Sequence, residues 1–139
     1  MIIFSSALEL KINKEKMKNF IIDATTDKII LKIIDSKKSY TSDYINSREN
    51  FDKLTVLIFK FLDKYNINIR EVDNIFINQG PGKSSGIRTS IAIAKALCFS
   101  YKIDLYGFNK DQAEEQNYNK IIDLFEKGEL KKDLIKLQY

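Results

Sequence analysis

The chain has 139 residues, of which 44% are hydrophobic and 30% are charged, and its formal net charge is +4. This length and composition predict one globular domain with a modest core and exclude a chain that is disordered throughout. Because there is no histidine, the sequence excludes a Ser-His-Asp triad, a Cys-His nucleophile and a histidine-ligated metal site. Lysines are spread among acidic residues, which is typical of a solvated surface and not of a strong nucleic-acid-binding stripe.

The cysteine and hydrophobic patterns give no sign of an exported or membrane-bound protein. Cys98 is the single cysteine, and it lies in an apolar helix pattern as a small core or interface residue. No apolar run approaches the length of a membrane span, and residues 1–4 lack the features of a signal peptide. We therefore predict a cytoplasmic protein with no membrane partner.

Residues 1–16 allow two interpretations. Leu8, Leu10 and Ile12 alternate with polar residues and fit an extra edge strand. Alternatively, translation begins at Met17, directly before the first strong strand pattern, and the upstream residues are a wrongly assigned start. We favour the second interpretation.

Three strand patterns follow, at residues 20–26, 28–34 and 39–41. Their short connections predict a meander of neighbouring strands. The first strand ends in Asp23, followed by Thr25. We interpret this pair as a turn-stabilising side-chain arrangement in preference to a metal site, because no second acidic partner can be identified.

Two long helix patterns lie at residues 46–65 and 85–101. Apolar residues of the first recur at three-and-four spacing on one face, and Ser47 offers an N-cap near its start. The second is rich in alanine and serine, so another helix can approach it closely. A fourth strand leads from residue 72 into the loop between these helices.

A fifth strand pattern covers residues 103–108. Asn109 and Gln112 then form a capping-box pattern that opens a helix reaching residue 126. Gly128 ends this helix, and a last short helix is predicted at about residues 130–137.

The loop from Asn78 to Arg88 holds three of the five glycines and the only proline. A strand followed by a glycine turn and the start of a helix directs free backbone N–H groups toward one point. A Walker A loop would need glycine where Ile77 stands, and a dinucleotide fingerprint would need two residues, not three, between Gly82 and Gly86. From the residues alone, the loop is either a tight turn with no ligand or a ligand site of another kind.

This loop resembles the signature of the TsaB family. The resemblance continues in the alanine-rich helix after the loop and in the pattern of Ile103, Leu105 and Gly107. The matching loop residues are Gly80, Pro81, Gly82, Gly86 and Arg88. The resemblance covers about residues 17–112. It implies an α/β fold that consists of one ribonuclease-H-like (actin-like) half and a short helical C-terminal tail. The half would contain a mixed five-stranded sheet with flanking helices. The resemblance also implies that Asp23 and Thr25 occupy degenerate nucleotide-site positions, and that the family's histidine near Asn46 is absent.

By this resemblance the chain is expected to be a non-catalytic subunit in the synthesis of N6-threonylcarbamoyladenosine beside the anticodon of tRNA. It would form a heterodimer with the transferase TsaD, and an ATPase, TsaE, would join a larger assembly. ATP would be used by that assembly, with no cofactor or metal assigned to this chain and tRNA engaged indirectly. The sequence leaves open whether the isolated chain forms a homodimer.

The expected TsaD contact lies on the two long helices. Its predicted residues are Phe51, Leu54, Ile58, Phe61, Leu62, Ser90, Ala94, Leu97, Cys98 and Tyr101.

The family usually carries a second actin-like half. We divide this chain into an extension at 1–16, an actin-like subdomain at 17–108 and a helical tail at 109–139. An alternative function is a nucleotide-binding enzyme of the actin-like superfamily, an ATPase or kinase, completed by dimerisation. A peptidase is disfavoured, because Ser84 and Ser85 have no base within sequence reach.

Overall fold

The structure, a computed structural model, describes residues 17–36, 38–82 and 84–132. It contains one mixed sheet in the order β3-β2-β1-β4-β5. The strands are β1 (Asn19–Asp23), β2 (Lys28–Ile34), β3 (Ser39–Ile45), β4 (Asn74–Asn78) and β5 (Asp104–Phe108). β1, β2 and β3 pair antiparallel as a meander, while β4 and β5 run parallel to β1. The predicted α/β architecture, a mixed five-stranded sheet with flanking helices, is confirmed.

The central strands are buried on both faces, which explains why they appear in the sequence as continuous apolar runs. All five residues of β1 and all five of β4 are buried. β3, at one edge, alternates exposed and half-buried residues over its length. The third strand is therefore longer than predicted, because its polar alternation hides it from an apolar pattern.

Within the described residues, four α-helices accompany the sheet. They are α1 (Arg48–Asp52), α2 (Leu54–Lys64), α3 (Ser84–Tyr101) and α4 (Asn119–Glu126). The first predicted helix is thus two helices, separated at Lys53, where the backbone leaves helical geometry at ψ 7°. The predicted N-cap is confirmed, since the side chain of Ser47 accepts a hydrogen bond from the N–H of Asn50.

Each face of the sheet carries its own core. On one face, α2 and α3 pack over strand residues such as Phe20, Ile22 and Ile75. On the other, α4 covers Ile21 and Phe76. Adjacent residues of β1 thus enter opposite cores, as the two-residue period of a strand requires.

The segment after β5 differs from the predicted single helix. Gln112 accepts a hydrogen bond from the N–H of Asn109, so the capping box forms. It opens a 3₁₀ segment, Lys110–Gln116, with non-helical backbone at Ala113, Glu114 and Glu115, and α4 follows. Residues 1–16 and most of the predicted final helix lie outside the described residues. In the part of the chain described, no helix is both long and apolar enough to cross a bilayer.

Candidate functional site

The site is centred on the carboxylate of Asp23 at the end of β1, which is buried, with 4% of its surface exposed. Its Oδ1 accepts hydrogen bonds from the N–H of Thr25 at 3.0 Å and from the hydroxyl of Thr25 at 2.7 Å. Its Oδ2 accepts from Nδ2 of Asn78 at 3.1 Å and from the hydroxyl of Tyr118 at 2.7 Å. Four neutral donors of the chain itself therefore solvate this buried charge, which would otherwise be costly.

Asn78 reaches Asp23 because β4 runs parallel to β1, with Ile77 in register with Ile22. The carboxyl ends of the two strands lie side by side, and the side chains that follow them meet. Oδ1 of Asn78 also accepts a 2.9 Å hydrogen bond from the N–H of Gly80. Asn78 thus links the carboxylate to the signature loop.

Tyr118 comes from the other end of the chain and is buried beside α4. Burial away from water raises the pKa of its hydroxyl, and the charge of Asp23 and the hydrogen bond to that carboxylate raise it further. The hydroxyl therefore stays a proton donor to Asp23. The structure contains the predicted side-chain arrangement, in which the carboxylate of Asp23 accepts two hydrogen bonds from Thr25, and it adds Asn78 and Tyr118 as further donors.

A cavity of about 440 Å³ opens beside this cluster. Asp23, Thr25 and Asn78 form part of its wall, and the 3₁₀ segment closes the other side with Lys110 and Glu115. The described part of the chain holds no group of three or more residues suited to bind a metal ion.

The glycines of the signature loop are packed against the turn after β1. A β-carbon at Gly82 would overlap the carbonyl oxygen of Thr25, and one at Gly86 would lie 2.7 Å from the carbonyl oxygen of Ala24. Gly80 has a φ of 101°, a region that favours glycine. These contacts support the interpretation of the loop as a tightly packed turn. Pro81 and Arg88 are exposed on it.

Asn46 holds the same turn from its far side. Its Nδ2 donates to the carbonyl oxygens of Ala24, at 3.0 Å, and Thr26. Its N–H donates to the carbonyl of Asp27 at 2.8 Å. The turn after β1 is therefore fixed by Asp23 and Asn46 together.

The residues predicted to contact a partner lie in the core of this chain, which corrects that prediction. Eight of them are buried: Leu54, Ile58, Phe61, Leu62, Ser90, Ala94, Leu97 and Cys98. Phe51 and Tyr101 are half-buried against the same core. The apolar stripes of α2 and α3 face the sheet and each other, so most of these side chains are covered without a partner.

The outer sides of α2 and α3 form a groove of about 240 Å³. Its lining is mostly small or aromatic: Thr55, Phe59, Ile93, Ala96, Leu97, Ser100 and Tyr101. Only Leu97 and Tyr101 of this set were among the predicted contact residues. The sequence pattern missed the others because they lie beside the apolar stripe and not within it.

A family model described as "TsaD: tRNA N6-adenosine threonylcarbamoyltransferase" matches residues 28–118, more than half of the chain. The chain belongs to this family. The match spans β2 to Tyr118 and includes Asn78 and the whole signature loop. The proposed resemblance to TsaB is confirmed as well.

Two relatives illustrate the similarity. The chain is 31% identical over 88 residues to the tRNA threonylcarbamoyladenosine biosynthesis protein TsaB of Buchnera aphidicola, covering 63% of this chain and 42% of that protein. It is 34% identical over 65 residues to the tRNA N6-adenosine threonylcarbamoyltransferase of Fervidobacterium nodosum, covering 47% of this chain and 19% of that enzyme. The chain thus spans less than half the length of both relatives.

Solved structures support the fold assignment. YeaZ from Pseudomonas aeruginosa aligns with a TM-score of 0.63 at 18% identity, covering 72% of this chain and 50% of that one. RuvC from T. thermophilus, solved with a Holliday junction, aligns with a TM-score of 0.58 at 8% identity, covering 84% of this chain and 99% of RuvC. At these identities the likeness shows a shared ribonuclease-H-like fold alone.

Proposed function

We propose that this protein takes part in the synthesis of N6-threonylcarbamoyladenosine in tRNA, as a non-catalytic partner of the TsaD transferase. The relative named TsaB is a protein of this biosynthesis, and the family model carries the transferase's name. The observation that carries the partner role is the groove between α2 and α3, which is open to a second protein. TsaE and ATP would belong to the wider assembly, as expected from the family resemblance.

The state of Asp23 supports the absence of catalysis by this chain. An acid that acts on a substrate or holds a cation needs lone pairs directed toward it. Both oxygens of Asp23 already accept two hydrogen bonds each from within the chain. The carboxylate is therefore used to fix the loop and the start of α4.

The groove between α2 and α3 suits a helix of the partner. Ala96 and Ser100 are small and exposed, one helical turn apart, so a helix backbone can approach between them. Phe59 on α2 and Ile93 on α3 are half-buried. Covering them would remove apolar surface from water, at about 25 cal/mol for each Å² buried.

Co-expression with TsaD from the same organism tests this assignment. Ala96→Arg introduces a long charged side chain into the groove while its position stays exposed in the free chain. We expect this variant to fold, to lose co-elution with TsaD and to lose threonylcarbamoyladenosine formation. Val56→Arg is the matched control, because Val56 is exposed on the neighbouring helix α2 and does not line the groove. A TsaD complex of wild-type strength with Ala96→Arg would refute the proposed contact.

The cavity beside Asp23 supports the alternative function, a nucleotide-binding enzyme completed by dimerisation. Lys110 and Thr25 in its wall are groups that hold phosphate in other proteins. Calorimetry with ATP and magnesium separates the two functions. Tight binding with turnover that Lys110→Ala abolishes would favour the enzyme, whereas no heat of binding would favour the partner subunit.

A further inference from the structure

Helix α3 carries an exposed basic stripe on a side that the partner groove does not use. It consists of Arg88, Ala92, Lys95 and Phe99, spaced four, three and four residues apart along one side of the helix, and of Lys102, which directly follows the last helical residue, Tyr101. All five are exposed, and no acidic residue occurs from Ser84 to Tyr101. Basic residues that are far apart in the sequence are thus brought together on one side of α3 and at its end.

Phe99 lies between Lys95 and Lys102 in this stripe and is 90% exposed. It is more exposed than Ile45, at 73%, and Val56, at 53%, the other large exposed apolar residues of the described chain. The sequence pattern missed Phe99 because a single aromatic in an apolar helix is usually a core residue.

A groove of about 700 Å³ runs beside the stripe, between α3 and the edge strand β5. Lys95, Phe99, Lys102 and Lys132 line it. Its one acidic lining residue, Asp104, is paired with Lys132, whose Nζ lies 3.0 Å from Oδ1 of Asp104. The unbalanced charge of the groove is therefore positive.

The turn at the end of α3 fixes the backbone at Lys102. Lys102 has a φ of 55°, and the N–H of Ile103 donates to the carbonyl of Cys98 at 3.0 Å, the pattern of a closed helix terminus. The backbone positions of Lys102 and Phe99 are thus held relative to each other. Binding at these positions would order two side chains on a rigid helix, at little cost in backbone entropy.

We propose that the basic stripe binds single-stranded RNA, with one base stacked on the ring of Phe99 and the flanking phosphates on Lys95 and Lys102. An exposed aromatic ring between cations is the arrangement that unpaired RNA bases occupy in proteins. A protein partner fits less well, because lysine is depleted in the cores of protein interfaces. On the basis of the proposed function, the RNA is the anticodon loop of the tRNA, in direct contact with this chain.

Fluorescence anisotropy with the full chain and a labelled, unmodified anticodon stem-loop RNA tests the proposal. We expect Phe99→Ala to weaken binding about tenfold, which is the size of one lost base stack. We expect Lys95→Glu to reduce the slope of log Kd against log salt by at least about one, measured between about 50 and about 200 mM salt. Circular dichroism confirms that both variants fold.

Val56→Ala and Lys60→Glu are matched controls, because these residues are also exposed, four positions apart, on α2. Controls that weaken binding as much as the stripe variants would show a diffuse charge effect and overturn the proposal. Absence of stem-loop binding by the wild-type chain would also overturn the RNA-binding proposal. That result would leave the proposed TsaD contact, which Ala96→Arg tests, unaffected. Normal RNA binding by Phe99→Ala together with a lost TsaD complex would make the stripe a protein interface instead.

Discussion

The hydroxyl of Tyr118 donates a 2.7 Å hydrogen bond to Oδ2 of Asp23, joining residues 95 positions apart in the chain. Asp23 ends the first strand and Tyr118 precedes the last described helix. The bond therefore ties α4 and the 3₁₀ segment to the edge of the sheet where the signature loop begins. The carboxylate at the end of β1 thus joins β1, β4 and the segment before α4.

Tyr118→Phe tests the strength of this link. The substitution keeps the ring that packs against Phe108 but removes one of four donors to a buried carboxylate. Hydrogen bonds to charged groups contribute about 1.5–3 kcal/mol, so we expect the free energy of unfolding in urea to fall by about that amount. Tyr44→Phe is the control, because Tyr44 is half-buried and its hydroxyl makes no hydrogen bond within the described residues. Equal losses in both variants would contradict a special role for Tyr118.

The raised pKa of Tyr118 predicts a dependence of stability on alkaline pH. An unfolded tyrosine titrates near pH 10, whereas the folded hydroxyl keeps its proton to higher pH. Above about pH 10 the unfolded state therefore binds fewer protons than the folded state, and the free energy of unfolding falls as pH rises. We expect the wild type to lose up to about 1.4 kcal/mol per pH unit more than Tyr118→Phe in this range. Parallel curves for the two proteins above pH 10 would rule out the shift.

The strands could be predicted because buried strands leave continuous apolar runs, and Lys28–Ile34 has the bounds that the sequence indicates. The break between α1 and α2 at Lys53 could not be predicted, because the apolar spacing continues through it. The hydrogen bond between Tyr118 and Asp23 could not be predicted either, because no local sequence pattern indicates a contact between such distant residues.

The predicted partner surface illustrates a further limit. Three-and-four spacing in α2 and α3 identifies which face of each helix is buried, but not what buries it. Ile58 and Ala94 are fully covered by the sheet and the neighbouring helix of the same chain. The exposed residues Ala96 and Phe99 lie beside that face and are not part of its apolar pattern.

Gly86→Val is expected to destabilise the fold through contacts of the signature loop. A β-carbon there would lie 2.7 Å from the carbonyl oxygen of Ala24 and 2.9 Å from Cε1 of Phe51, so backbone has to move. Overpacking of this kind costs about 1–3 kcal/mol, whereas valine in place of alanine at an exposed helix position costs about 0.6 kcal/mol. Ala92→Val is therefore the control, and thermal melting of both variants is the measurement. A Gly86→Val protein as stable as Ala92→Val would mean that the loop has room for a ligand.

Ala94→Arg should prevent folding, whereas Ala96→Arg, two residues further along α3, should leave the fold intact. Ala94 has no exposed surface and lies in the core between α3 and the sheet. An arginine there would be overpacked and its charge left unpaired in the interior, which costs about 3–5 kcal/mol for the charge alone. That is a large share of the 5–15 kcal/mol by which domains are stable. We expect Ala94→Arg to be insoluble or to show no cooperative melting by circular dichroism. Should it melt like the wild type and lose only its TsaD complex, Ala94 would face the partner and the packing of α3 described above would be wrong.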